Sequence, residues 1–154
     1  MKLNRLKTIA ITSTLLLGGL GSLALNPAYA SPETTASQVQ VAANSILASG
    51  DFVTVEPGHP TAGTARIIVE NGQRYLEFDQ TFGTANGPDV VVVLHRDAVV
   101  PLNLNEADYI SLAPLQSFNG AQRYAIPANV DLDQYNSAAI WCRQFNITFG
   151  YAAL

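Results

Sequence analysis

The sequence predicts an all-β protein: an antiparallel two-sheet sandwich or small barrel of about seven to nine short strands, preceded by a signal peptide and a short spacer. Three observations point there. After Gly50 the hydrophobic period is two, as in half-buried strands, rather than the 3.6 of a helix. Asn-Gly pairs punctuate the alternating runs where tight turns belong. No long helix-periodic segment supports a βαβ alternative, and no internal repeat is present.

The N-terminus comes first. Lys2, Arg5 and Lys7 precede an uncharged, largely apolar run from Ile9 to Leu25, followed by Pro27 and the triplet Ala28-Tyr29-Ala30. A basic start, a short apolar middle and small residues at −3 and −1 make a secretory signal peptide over residues 1–30, cut after Ala30. The run is barely long enough to cross a bilayer and contains Gly18, Gly19 and Gly21, so no stable membrane span is expected after cleavage. No cysteine follows it to take a lipid, and no Arg-Arg pair precedes it. The expected destination is the periplasm, the cell surface or the medium.

Export changes the charge balance. Three of the eight basic residues leave with the leader, so five arginines face twelve acids and the net charge becomes −7. A lysine-free acidic surface offers little to a phosphate backbone or an anionic leaflet, which excludes nucleic acid as a natural partner. The single cysteine, Cys142, cannot form an intrachain disulfide, so stability must come from the core. The remaining 124 residues suffice for one such core.

Residues 31–49 are rich in Ser, Thr, Ala and Gln and read as a spacer, with a short helix possible around Val39–Ala43 and Ile46-Leu47. The folded domain is expected over 50–154. Ala65–Glu70 and Arg74–Asp79 alternate on either side of Asn71-Gly72, a strong hairpin signal because a type I′ turn needs positive φ twice. A second hairpin is expected at Asn119-Gly120, between Leu115–Phe118 and Arg123–Ile126. Val90–Leu94 is short, β-branched and apolar without alternation, so it reads as a strand buried on both faces, and Ala138–Cys142 is another apolar strand. At the C-terminus Phe145, Ile147, Phe149 and Tyr151 alternate with Asn146, Thr148 and Gly150, and are expected to share a face.

The order of short motifs adds a resemblance. Gly50-Asp51-Phe52, His59 ahead of Gly63-Thr64-Ala65, Leu76-x-Phe78, Gly87-Pro88-Asp89-Val90 and Gly120–Pro127 occur in series. Asp131–Tyr135, Ile140-Trp141-Cys142-x-x-Phe145, then Phe149 and Ala152-x-Leu154 follow. This series resembles the DM-thirteen domain, also called the electron-transfer DM domain, over about Ser49 to Leu154. The resemblance implies a β-sandwich in extracellular or envelope proteins. It also implies a redox role centred on a cysteine that matches Cys142, either as a bare thiol or as ligand to a prosthetic group such as haem. The domain often accompanies haem-binding or hydroxylase-like modules that this chain lacks, so a separate envelope redox or surface partner is implied.

Cys142 is therefore the first candidate site residue, with His59 as second participant and Trp141 as a shield or stacking group. In a strand, Cys142 shares a face with Ile140 and Gln144, whereas Trp141 and Arg143 point the other way. The competing account makes Cys142 a small buried hydrophobe in a non-enzymatic binding or structural module of the envelope. His59 lies in a loop, Glu56-Pro57-Gly58-His59-Pro60, and His95 ends the valine strand. Two histidines and a cysteine suggest blue copper, yet no histidine follows Cys142 and the only methionine is Met1. No metal site is expected: Asp131-x-Asp133 lacks the rest of a calcium loop and reads, like Asp89, as a capping or turn residue. Asn146-Ile147-Thr148 fits the glycosylation pattern but falls within the expected strand. No Gly-x-Ser-x-Gly, His-Glu-x-x-His or Cys-x-x-Cys supports an independent catalytic activity.

Overall fold

The structure, a computed structural model, describes residues 44–154. The signal peptide and residues 31–43 of the spacer lie outside the described residues. Eight strands form the domain: β1 (Ser45–Thr54), β2 (Thr64–Glu70), β3 (Gln73–Phe78), β4 (Val90–His95), β5 (Tyr109–Pro114), β6 (Gln122–Ile126), β7 (Ser137–Cys142) and β8 (Ile147–Ala153). All neighbours are antiparallel, in the order β5-β4-β7-β8-β1-β2-β3-β6. The sheet rolls until its edge strands β5 and β6 come side by side, giving a nearly closed barrel.

The Asn71-Gly72 hairpin forms as its sequence predicts, with φ of 50° and 78° at the two turn residues and Glu70 paired to Gln73. The first strand starts earlier than expected, however. Ser45–Ser49 are the first half of β1 and not spacer, and Ile46-Leu47 are strand rather than helix. Pairing with β2 extends the chain there, from Ser45 opposite Val69 to Asp51 opposite Thr64. From Phe52 onward β1 pairs instead with β8, so this one strand joins the two halves of the barrel.

The second expected hairpin does not form. Asn119-Gly120 does turn, with Gly120 at φ 79°, but the preceding segment bonds to residues 82–84 instead of β6. Thr84 N donates to Phe118 O and Gly120 N to Phe82 O, both at 2.9 Å. The seam between β5 and β6 is closed by side chains. Gln116 N donates to the Tyr124 hydroxyl at 3.0 Å, Gln116 Nε2 to Arg123 O at 2.9 Å and Gln122 Nε2 to Ser117 O at 2.9 Å.

The interior is built around Phe52, Phe78, Phe82 and Tyr124, whose rings pack with centroids 4.6–5.4 Å apart. Leu76, Val92, Leu94, Ile126, Ile140 and Phe149 complete it. A second cluster lies on the outer surface of β4 and β7, where Val91, Val93, Ala139 and Trp141 are covered by Val100 and Leu104 of the following loop. This two-sided burial is why β4 and β7 carry apolar residues without alternation: every residue in both strands is buried.

The C-terminal alternation holds only in part. Phe145 is 59% exposed in the turn before β8, and Tyr151 packs in the outer cluster while Phe149 is interior. The register slips between Ile140 and Trp141, paired with Gly150 and Thr148, leaving Phe149 as an extra residue. A bulge of this kind flips every later side chain to the other face.

Gly50 lies just before β1 joins β8, and a Cβ there would collide with the Ala153 carbonyl. Gly50→Ala is expected to destabilise the fold by about 2 kcal/mol, since backbone must move to admit a methyl group. Urea unfolding of both proteins measures it, and an unchanged midpoint would show that the contact is soft.

Candidate functional site

The alternation of β7 turns Ala138, Ile140 and Cys142 into the barrel and Ala139 and Trp141 outward. Cys142 is 1% exposed, and its Sγ donates to Pro88 O at 2.9 Å. That hydrogen bond requires the protonated thiol. Pro88 belongs to the turn that enters β4, where Val90 is the cross-strand partner of Cys142. Pro88 and Asp89 are exposed, so a single residue layer separates the sulfur from solvent.

That turn is fastened from two sides. Asp89 has φ 52°, unusual for a residue other than glycine, and its carboxylate does not cap backbone N–H groups as the sequence suggests. It takes the Arg143 guanidinium through two bonds of 2.8 Å, while Arg143 N donates to Asp89 O at 3.1 Å. The guanidinium holds the Asp89 carboxyl below the ordinary value of 3.8 by hydrogen bonding and charge. On the inner side, Phe149 and Val90 fill the space a Gly87 Cβ would need, at 2.8 and 3.1 Å.

Phe149 also brings His59 to this end of the barrel. Val55 N and Glu56 N both donate to Phe149 O, at 2.9 and 3.3 Å, which folds the 56–60 turn back over β8. The His59 ring stacks on Phe149 at 4.2 Å and 12°. Its Nδ1 is buried with no hydrogen-bond partner among the described residues. His59 and Cys142 thus share one region, joined through Phe149 and the Gly87-Pro88 turn, with no hydrogen bond between them.

Trp141 is not part of this arrangement. It lies across the sheet from the thiol, with its ring 5.0 Å from Tyr109 and its Nε1 donating to Asn146 Oδ1 at 3.0 Å. Asn146 sits in the β7–β8 turn at φ 52°, not in a strand, and ties the outer cluster together. Its Oδ1 also accepts from Leu104 N at 2.8 Å and its Nδ2 donates to Leu104 O at 3.2 Å. The side chain that matches a glycosylation pattern is therefore occupied inside the fold. His95 belongs to the same outer layer. Its Nδ1 accepts from Asp97 N at 3.0 Å, and its buried Nε2 has no hydrogen-bond partner among the described residues.

A comparison with protein-family models decides the relationship: the electron transfer DM13 model matches residues 51–154. The chain belongs to the electron transfer DM13 family. No curated protein and no solved structure matches it.

Cys142 lies in the core of this DM13 domain, and that placement tests the haem ligation that the motif resemblance implies. A haem iron needs an open approach to the ligand atom and space for the macrocycle beside it. The Cys142 sulfur is enclosed and bonded to Pro88 O, and Phe149 covers one face of His59. Two surface grooves, of about 440 and 490 Å3, are lined by other residues, such as Arg66 and Arg123 or Ile67 and Leu132. The residues as arranged do not fit haem. Among the described residues no three His, Cys, Asp or Glu side chains gather to hold a metal ion. Asp131 instead accepts from Asp133 N at 3.2 Å and Gln134 Nε2 at 3.0 Å, as a turn cap.

Sequence reasoning names Phe149 and Asn146 but does not foresee what they do here. The first reads as ordinary core, whereas an Asn between two apolar strands is a detectable signal for a left-handed turn. Asn146→Ala is expected to cost about 2–4 kcal/mol, because it leaves Trp141 Nε1 and Leu104 N without acceptors and strains the positive φ. Quenching of Trp141 fluorescence against denaturant reports it, and wild-type stability would remove Asn146 from its central role.

Proposed function

We propose that this DM13 protein is exported and takes part in extracytoplasmic redox chemistry through Cys142 acting as a bare thiol. One observation carries the reading. The family's electron-transfer domain spans the folded part of the chain, and its cysteine lies one residue layer beneath the surface, under an exposed turn. A lone thiol exchanges electrons by attacking the disulfide of a separate envelope protein. Sγ loses its proton to solvent, bonds to one partner sulfur, and the other partner sulfur leaves as thiolate and takes up a proton. Cys142 is oxidised in the mixed disulfide and the partner is reduced. His59 is the second participant, adjacent through Phe149; Trp141 supports β7 from behind. The acidic, lysine-free surface favours such a protein partner over nucleic acid.

A second reading draws on the same thiol. Its enclosure and its bond to Pro88 O suit an inert core cysteine in a non-enzymatic binding or structural module of the envelope.

An absorbance spectrum with metal analysis, followed by exchange with a mixed-disulfide probe under native conditions, separates the two. The expected result is a featureless visible spectrum, with native exchange that is present in wild type and lost in a folded Cys142→Ser protein. A Soret band lost with Cys142 would overturn the bare thiol. A thiol silent until the barrel unfolds would leave the structural module.

A further inference from the structure

The thiol must be uncovered before it can exchange, and the structure shows one thin side. Inward, Cys142 belongs to the interior cluster with Ile140 and Phe149, and Ile147 of β8 is its register partner. Behind it lies the β7 backbone, with Trp141 buried on the far face. Toward solvent lies the turn of Gly87, Pro88 and Asp89, whose Pro88 O accepts from Sγ and of which Pro88 and Asp89 are exposed. We propose that the Asp89–Arg143 ion pair is a latch on this turn, and that local release of the turn, with the barrel intact, is what admits a redox partner to Cys142. The proposal rests on the redox reading of Cys142 above.

Three features make the pair a latch rather than a surface decoration. Arg143 directly follows Cys142, so its grip on Asp89 fixes the turn to the strand end that carries the thiol. The grip is double, since the Arg143 backbone N–H bonds Asp89 O as well. The pair also falls on the residue that shapes the turn, since Asp89 sits at φ 52°, in the left-handed region that Asp tolerates better than most L-residues. Releasing the turn breaks the thiol's only hydrogen bond among the described residues and exposes Sγ, while the ladder from Val90 to His95 against β7 stays closed. Salt bridges in this exposure range are screened by ions, so the latch is weak enough to open.

The test is the rate at which a thiol reagent labels the native, full-length protein. Asp89→Asn removes the charge while keeping a side chain that tolerates positive φ, and Arg143→Gln removes the guanidinium. Both side chains are exposed, so the barrel packing is untouched. Each variant is expected to label about two- to fivefold faster than wild type, and the double variant no faster than either. Raised salt should bring wild type toward the variants. Arg123→Gln is the control, because it breaks a comparable pair with Glu70 and Glu77 on other strands and should leave labelling unchanged. The denaturant dependence of labelling should be shallow, as for local opening. Wild-type labelling rates in both variants, or labelling only through global unfolding, would overturn the latch. A native thiol that takes the labelling reagent but never forms a mixed disulfide with a disulfide probe would instead overturn the reading beneath it, whatever the labelling rates.

Discussion

The fold depends on burying the β4–β7 pair on both faces. A barrel of eight short strands covers only the inward surface of each, and an all-apolar strand needs a second cover. Here the loop after β4 supplies it, laying Val100 and Leu104 over Val91, Val93 and Trp141. The loop is fixed at both ends by polar bonds: Ser137 Oγ to Asp97 O at 2.6 Å near its start, and the Asn146 side chain to Leu104 near its end. Each buried valine or leucine contributes roughly 1.5–3 kcal/mol, so this outer layer rivals a comparable part of the interior.

Two-sided burial also determines what can surround the cysteine. Cys142 ends a strand that tolerates no open face, so most of its neighbours are fixed by packing before any redox role is considered. Only the last residue of such a strand can meet a turn instead of another strand. Cys142 holds that position, with Val90 opposite and Pro88 just beyond. A thiol one residue earlier would lie on the outer face under the loop; two residues earlier, it would stand between Val92 of β4 and Gly150 of β8.

Much of this is legible in the sequence, and the exceptions have physical causes. Asn71-Gly72 identifies its hairpin because the signal is local: two residues that accept positive φ between strands of matching phase. Val90–Leu94 announces its two-sided burial through composition alone. Asn119-Gly120 misleads because the same turn chemistry leaves the choice of partner open, and Phe82–Thr84, distant in sequence, takes the backbone bonds. The shared face expected of Phe145, Ile147, Phe149 and Tyr151 is broken by a bulge, which a period-two pattern cannot reveal. Ser45–Ser49 resemble spacer because strand pairing there comes from β2 rather than from intrinsic propensity.

The site shows the same division. Alternation along β7 correctly separates Cys142 from Trp141, since a strand's side-chain directions follow from covalent geometry. The strand ends at Cys142, however, so Arg143 and Gln144 lie in the following turn and not on the expected faces. What alternation does not give is the role of Arg143 after it turns away: its charge never meets the sulfur but secures the turn whose carbonyl does. The pairing of Asp89 with Arg143 spans 54 residues and follows from the β4–β7 register, which sets the two strand ends side by side. The geometric link between the ion pair and the thiol thus runs through the backbone of the Pro88-Asp89 turn. That arrangement separates this cysteine from the electropositive, exposed thiols on which reactivity is usually argued.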